Sequence, residues 1–208
     1  MKLYFIRHGE TNNNLQKKAF GFNDELTETG RKQAQNLANR ISDIPIDIIL
    51  TSPHKRTKET AEIIAKKINK EIQEIPFLGE KKWPSEIEGK LLKDPEVEKI
   101  FDLLREKNNN DPSWHYSNEE NFFDIKKRAE VFIEYVSKLA HTNILAVSHE
   151  YFIKTIIASM MHGDRLTYEI FRDFYHFSSL DNTSITLCEN KQNNWKLITL
   201  NDLQHLDK

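Results

Sequence analysis

The stretch Lys2-Leu3-Tyr4-Phe5-Ile6-Arg7-His8-Gly9-Glu10-Thr11 decides how the rest of the chain is read, because a short apolar run ends abruptly in a cation, an imidazole and a glycine. Lys2 to Ile6, rich in β-branched and aromatic types, suits a buried strand, and the residues just past the carboxyl end of such a strand are those an α/β sheet offers to ligands. Arg7 brings a planar fork of donors that matches phosphate, and His8 can serve as nucleophile, acid or base near neutral pH. Gly9 lets the backbone turn and a ligand approach closely. Taken alone, the pair reads more readily as the start of a solvated loop. The weight comes from the other segments.

At 208 residues the chain is long enough for one large domain, 1–208, with a substantial core. Its net charge of −2 leaves no global basic field for nucleic acid or a membrane surface. The single cysteine, Cys188, excludes an internal disulfide framework and fits a reducing compartment. No basic segment followed by an apolar signal core precedes the first strand, so a cytoplasmic protein is expected, and no apolar run approaches the ~18 residues that span a bilayer. The histidines are scattered, without HExxH or paired Cys/His spacing, so no metal is expected.

Outward from the first strand, residues 7–25 are polar and aperiodic and read as a long loop. Thr27 caps a helix whose apolar face is Ala34, Leu37, Ala38 and Ile41. Residues 44–51 read as a second strand, followed by Ser52 as N-cap and Pro53 at the first helical position. Arg56 falls in that first turn, beside the backbone amides that make helix N-termini anion sites. A third strand at 71–75 leads through Gly79-Glu80 into another aperiodic loop reaching Leu92. The resulting β-α-β-α-β order signifies a parallel sheet with helices on its faces. Val97 to Leu104 suggests a helix ended by Asn108-Asn109-Asn110-Asp111-Pro112. Residues 120–140 form the longest periodic segment; Asn143 to Ser148 is the central strand and ends in His149, before a helix carrying Ile153, Ile156, Ile157 and Met160. Residues 166–174 suggest one more helix, and 184–188 with 195–200 a closing hairpin joined by a turn of about six residues.

Parallel strands joined by right-handed crossovers present their carboxyl ends on one edge. One crevice therefore gathers Arg7 and His8, Arg56, Glu80 and His149. This set offers a nucleophile, a doubly cationic cradle for a group of about −1.5 to −2 charge, and a proton donor for a leaving alkoxide. Phosphoryl transfer fits it without a metal or other cofactor, since arginines can meet the charge on the equatorial oxygens.

The chain also resembles the histidine phosphatase superfamily, which includes the cofactor-dependent phosphoglycerate mutases. The resemblance lies in Arg7-His8-Gly9-Glu10-Thr11, Asn14, Gly21, Asp24, Leu26-Thr27, Gly30 and Gln33-Ala34; then in Ser52-Pro53, Arg56 and Thr60-Ala61; in Glu120 with Arg128; and in Val147-Ser148-His149. It implies an α/β fold of three α/β/α layers, a largely parallel mixed sheet with helices on both faces. It implies further that His8 is the phosphorylated nucleophile, that Arg7, Arg56 and His149 surround the phosphoryl group with Asn14 and Gly21 assisting, and that an acid comes from the Glu80 loop. The sequence departs from the pattern in two places. Pro84 and Glu88 stand where similar sequences have glycines, and Gly89 comes one residue late, so Glu80, Glu86 and Glu88 are all candidates, Glu80 preferred as the first after the strand. Glu150-Tyr151 follow His149 where small residues are common. Glu150 either narrows the site against polyanions or merely suits the first turn of a helix.

The function implied is a phosphomonoesterase acting on small phosphorylated metabolites. A phosphoglycerate mutase of the same chemistry is the nearest alternative, although 208 residues leave little room for the insertion mutases carry. A phosphate-binding module without turnover is the alternative of another class. A homodimer is compatible with the sequence.

Overall fold

The computed structural model describes residues 1–19, 21, 23–192 and 194–206. Its organising element is β1 (Lys2–Arg7), which alternates its side chains between two apolar cores. Leu3 and Phe5 enter one core, Tyr4 and Ile6 the other. A strand buried on both faces must be apolar throughout, and that continuous run is what made it visible in the sequence.

After β1 the chain does not stay irregular as expected for 7–25. Thr11 and Asn14 form a reciprocal capping box that starts a short helix, α1 (Asn12–Gln16). Within this stretch Phe20 and Phe22 lie outside the described residues. Thr27 caps α2 (Glu28–Arg40) as the sequence indicates. The second strand is shorter than 44–51: β2 is Ile48–Thr51. Ile46 is buried, but in the irregular segment ahead of the strand, and the Asp47 carboxylate accepts from the backbone amides of Thr142 (2.7 Å) and Asn143 (2.8 Å). The next helix also begins later than Ser52-Pro53 suggests: α3 is Lys55–Ile68 with His54 at its N-cap, because the Ser52 hydroxyl is engaged with His149.

Then come β3 (Ile72–Glu74), 3-10 turns at Pro76–Leu78 and Ser85–Ile87, and α4 (Pro95–Asn110). The asparagines read as a break continue α4, Asn110 Nδ2 bonding back to the Glu106 carbonyl at 3.0 Å. α5 (Phe122–Ser137) has its own capping box at Asn121, which leaves Glu120 outside the helix. β4 (Asn143–Ser148) runs into α6 (Glu150–His162), and α7 (Tyr168–Phe177) leads to β5 (Ile185–Lys191) and β6 (Asn194–Asp202). These two strands are longer than the hairpin expected; of the turn residues read from the sequence, Asn193 lies outside the described residues.

The strand order is β3-β2-β4-β1-β5-β6. The first four are mutually parallel, and β5 runs antiparallel to β1. Helices α5 and α6 cover one face, where Phe132 and Phe152 are fully buried, and α2 and α3 cover the other with Leu37, Ala61 and Ile64. Fully burying such a side chain contributes roughly 1.5–3 kcal/mol. The outcome is the mixed, largely parallel sheet between helical layers that the sequence implied.

Candidate active site

The carboxyl ends of β1, β2 and β4 lie side by side, with Arg7 opposite Ser148 and Thr51 opposite Val147. Arg7, His8, Ser52 and His149 are thus brought together by register alone. Arg56 arrives from the first turn of α3, is fully buried, and occupies the space between the two imidazoles. Its Nε donates to His8 Nε2 at 3.1 Å, Nη2 to His149 Nδ1 at 3.0 Å, and Nη1 to the Gly21 carbonyl at 2.8 Å. Asp24 Oδ2 lies 4.0 Å from Nη1.

These contacts fix the protons. A guanidinium only donates and a carbonyl only accepts. His8 therefore gives its Nδ1 proton to the Gly9 carbonyl at 2.8 Å and keeps a lone pair on Nε2. His149 likewise accepts on Nδ1, which leaves Nε2–H for the Ser52 hydroxyl at 2.8 Å; Ser52 in turn lies 2.9 Å from His54 Nδ1. Burial holds both His8 and His149 well below the ordinary imidazole range, and the Arg56 charge lowers them further. His54 is pushed down to about 3, chiefly by burial. Arg56 itself comes down to about 10 through desolvation, opposed by Glu80 and Asp24. A neutral imidazole with one unprotonated nitrogen has the character of a nucleophile at neutral pH.

Glu80 is common to two cavities. The first, about 300 Å³, also holds Arg7, His8 and Glu150; the second, about 310 Å³, holds Gly21, His54 and Arg56. Desolvation raises the Glu80 carboxyl above its usual range, against a hydrogen bond from the Lys81 amide and the pull of Arg56. Of the alternative acids, Glu86 is exposed and accepts from Ser117 Oγ at 3.0 Å, and Glu88 lines only the second cavity. Asn14 is set back from both: its Oδ1 accepts from the Thr11 amide at 3.0 Å and from Asn182 Nδ2 at 3.3 Å. Gly21 meets Arg56 through its carbonyl. Arg7 Nη1 lies 3.1 Å from Glu150 Oε2, while its Nε is buried without a hydrogen-bond partner.

Several residues of the site were not singled out from the sequence. Asn182 Nδ2 donates to the His8 carbonyl at 2.9 Å, and the Thr183 amide to the Arg7 carbonyl at 2.9 Å. The signal for these was topological: an antiparallel strand beside β1 must start where β1 ends. Arg128, which the sequence resemblance already paired with Glu120, steadies the loop that carries Glu80, donating to the carbonyls of Phe77 (3.0 Å), Gly79 (2.6 Å) and Glu80 (3.2 Å) and to both Glu120 oxygens at 2.7 Å. Gly9 proves necessary for a reason other than a turn: a Cβ there would stand 2.6 Å from the Gly30 carbonyl oxygen.

Residues 3–203 match the model of the histidine phosphatase superfamily (branch 1). The chain is 32% identical over 170 residues to adenosylcobalamin/alpha-ribazole phosphatase of Escherichia coli (strain K12), covering 77% of this chain and 79% of that one. A phosphoserine phosphatase from Entamoeba histolytica, solved with phosphoserine, superposes with a TM-score of 0.80 at 30% identity, over 99% of this chain and 98% of that one. A shorter likeness, 43% over 81 residues or 38% of each chain, is to a probable phosphoglycerate mutase of Photorhabdus laumondii subsp. laumondii.

Proposed function

The chain belongs to the histidine phosphatase superfamily, and from that membership we propose that it hydrolyses small phosphate monoesters through a phosphohistidine on His8. The observation that carries this reading is the guanidinium of Arg56 held between His8 Nε2 and His149 Nδ1 at 3.1 and 3.0 Å. When the His8 lone pair is given to phosphorus, the Arg56 N–H that faced it becomes a donor for a phosphoryl oxygen. Arg7 offers its unpartnered buried Nε to another, Asn14 stands one hydrogen bond behind, and His149 donates from Nδ1 in its other neutral tautomer, in which Nε2 accepts from the Ser52 hydroxyl. Two guanidinium groups thus meet the charge that spreads over the transferring group, with no call for a metal or other cofactor.

Proton bookkeeping assigns the remaining role to Glu80. As His8 Nε2 bonds to phosphorus and the ester P–O bond breaks, the leaving alkoxide takes the Glu80 proton. The resulting carboxylate then accepts a proton from the water that attacks the phosphohistidine, which restores Glu80 and His8 and releases phosphate. The raised pKa of Glu80 suits a group that must begin protonated. Residues 1–208 acting as one domain in the cytoplasm, without nucleic acid, complete the reading.

The local likeness to a probable phosphoglycerate mutase favours one competing reading. In a mutase the phosphoenzyme returns its phosphoryl group to a bound phosphoglycerate instead of water. Brief exposure to p-nitrophenyl phosphate should leave an acid-labile, base-stable phosphate on the wild type and none on His8→Ala, with turnover lost in parallel and unaffected by chelator. Label retained by His8→Ala, or efficient isomerisation of phosphoglycerate given a bisphosphoglycerate primer, would overturn the hydrolase.

A further inference from the structure

Glu150 touches the phosphate cradle without a part in the reaction just described. It is the first residue of α6, immediately after His149, and its carboxylate is held at both ends. Oε2 lies 3.1 Å from Arg7 Nη1, and Oε1 accepts from Lys154 Nζ at 2.7 Å. Lys154 is itself anchored: only 2% exposed, it spends its other donors on the carbonyls of Tyr175 (3.1 Å) and Ser178 (2.8 Å) and sits over the Tyr175 ring. A buried ammonium fully committed in this way cannot swing aside, so the carboxylate it grips is a fixed feature of the cavity.

The rest of that cavity is apolar. Trp83, Ile87, Leu92, Phe101, Tyr151 and Tyr175 form the walls beyond the phosphate cradle. The charged side chains facing it, among the described residues, are Arg7, Glu80 and Glu150, together with the His8 imidazole. Arg7 and Arg56 match the two negative charges of one phosphoryl group and leave no cation over. The Lys81 ammonium is stacked between Trp83 (4.3 Å) and Tyr151 (4.8 Å) and opens on the neighbouring cavities instead. A second anion on the leaving group would meet the Glu150 carboxylate across low-dielectric walls, where like charges repel strongly, and the protonated Glu80 offers it no counter-charge.

We propose that Glu150, fixed by Lys154, is a specificity residue that confines the site to monoesters of uncharged, largely apolar alcohols. The inference rests on the phosphatase reading and names its substrate class. Lys154 acts through Glu150 and is a positioning residue.

Glycerol 3-phosphate and 3-phosphoglycerate provide the test, since they differ by a hydroxymethyl group against a carboxylate. Wild type should favour glycerol 3-phosphate in kcat/KM by about tenfold or more, and benzyl phosphate should exceed both. Glu150→Gln should shrink the ratio of the first pair about fivefold or more by raising 3-phosphoglycerate. Should loss of the Lys154 contact unfold that protein, the double variant Glu150→Gln/Lys154→Met removes both charges of the pair together. The same pair of esters titrated calorimetrically into His8→Ala, with and without Glu150→Gln, reads the discrimination as binding. Absence of turnover with a preserved binding ratio would sink the phosphatase and keep the charge filter. A ratio indifferent to Glu150→Gln in both assays, or a wild type that prefers 3-phosphoglycerate, would overturn the filter.

Discussion

Arg56 Nε lies 3.1 Å from His8 Nε2, and each atom has one available role: the guanidinium donates and the imidazole accepts. His8 Nε2 is thereby kept unprotonated and held in one direction before any substrate enters.

Arg56→Lys keeps a positive charge but cannot span His8, His149 and the Gly21 carbonyl at once. Its kcat/KM should fall by about 10²- to 10³-fold, the usual cost of removing one preorganised donor. Nitrogen NMR of His8 should show the wild-type Nε2 unprotonated and a mixture of tautomers in the variant. A single unchanged tautomer with near-normal rates would mean that Arg56 does not set the nucleophile.

Removing the acid should reveal itself through the leaving group. Glu80→Gln is expected to lose about 10²- to 10⁴-fold on alkyl phosphates and far less on p-nitrophenyl phosphate, whose phenolate needs little protonation. Arg128→Leu, which frees the carbonyls of Phe77, Gly79 and Glu80, should reproduce that alkyl-specific loss in weaker form, with Arg128→Lys recovering part of it. Equal losses on both ester types would deny Glu80 the role. A collapse with Glu86→Gln or Glu88→Gln in its place would move the acid along the loop.

Stability should fall toward acid. In the unfolded chain each imidazole takes up a proton near pH 6.5, whereas folded His8 and His149 do so only well below that value and His54 at about 3. The unfolded state thus binds more protons throughout the window below 6.5, at about 1.36 kcal/mol per pH unit for each group. Glu80 works the other way, because its raised folded pKa favours the folded state at lower pH, but it is one group against four, since His205 too is lowered, to about 4. Urea midpoints measured from pH 7 to 5 should therefore decline, and His54→Asn, which keeps an acceptor for Ser52, should remove about one proton's share of the slope. A flat profile would show the imidazoles charged in the folded state.

Gly30→Ala should destabilise the fold without touching the chemistry. The added Cβ would stand 2.2 Å from the Glu10 carbonyl oxygen and 2.8 Å from the Glu10 amide nitrogen, both backbone atoms. Separating α2 from the loop after β1 costs on the order of 1–3 kcal/mol, read as a lower thermal midpoint. A variant as stable as wild type would show that this loop can yield.

The legibility of this chain divides along a physical line. β1 and β4 are buried on both faces, so their apolar runs have no other explanation, and the charged residue or histidine that ends each one stands out. Arg56 was readable because a helix N-terminus follows β2. Where a side chain's partner is distant in sequence, local rules misled. Ser52-Pro53 has the form of a helix cap, yet its hydroxyl is claimed by His149, and the helix starts at Lys55. Ile44 to Asp47 looks like a strand, yet Asp47 serves the amides before β4. Asn182 and Thr183 carry no local mark at all; only the antiparallel placement of β5 sets them against His8.

The same pairing has a consequence for how the protein comes into being. β1 pairs Lys2 with Asn143 on one side and with Glu189 on the other. During synthesis, the segment carrying His8 leaves the ribosome long before either neighbour exists, with an apolar strand open on both edges. Contacts this remote in sequence make for slow, late assembly. A nascent chain that ends before β4 lacks the Ser148 carbonyl that the His8 amide meets, and one that ends before β5 leaves an edge of β1 open to foreign strands.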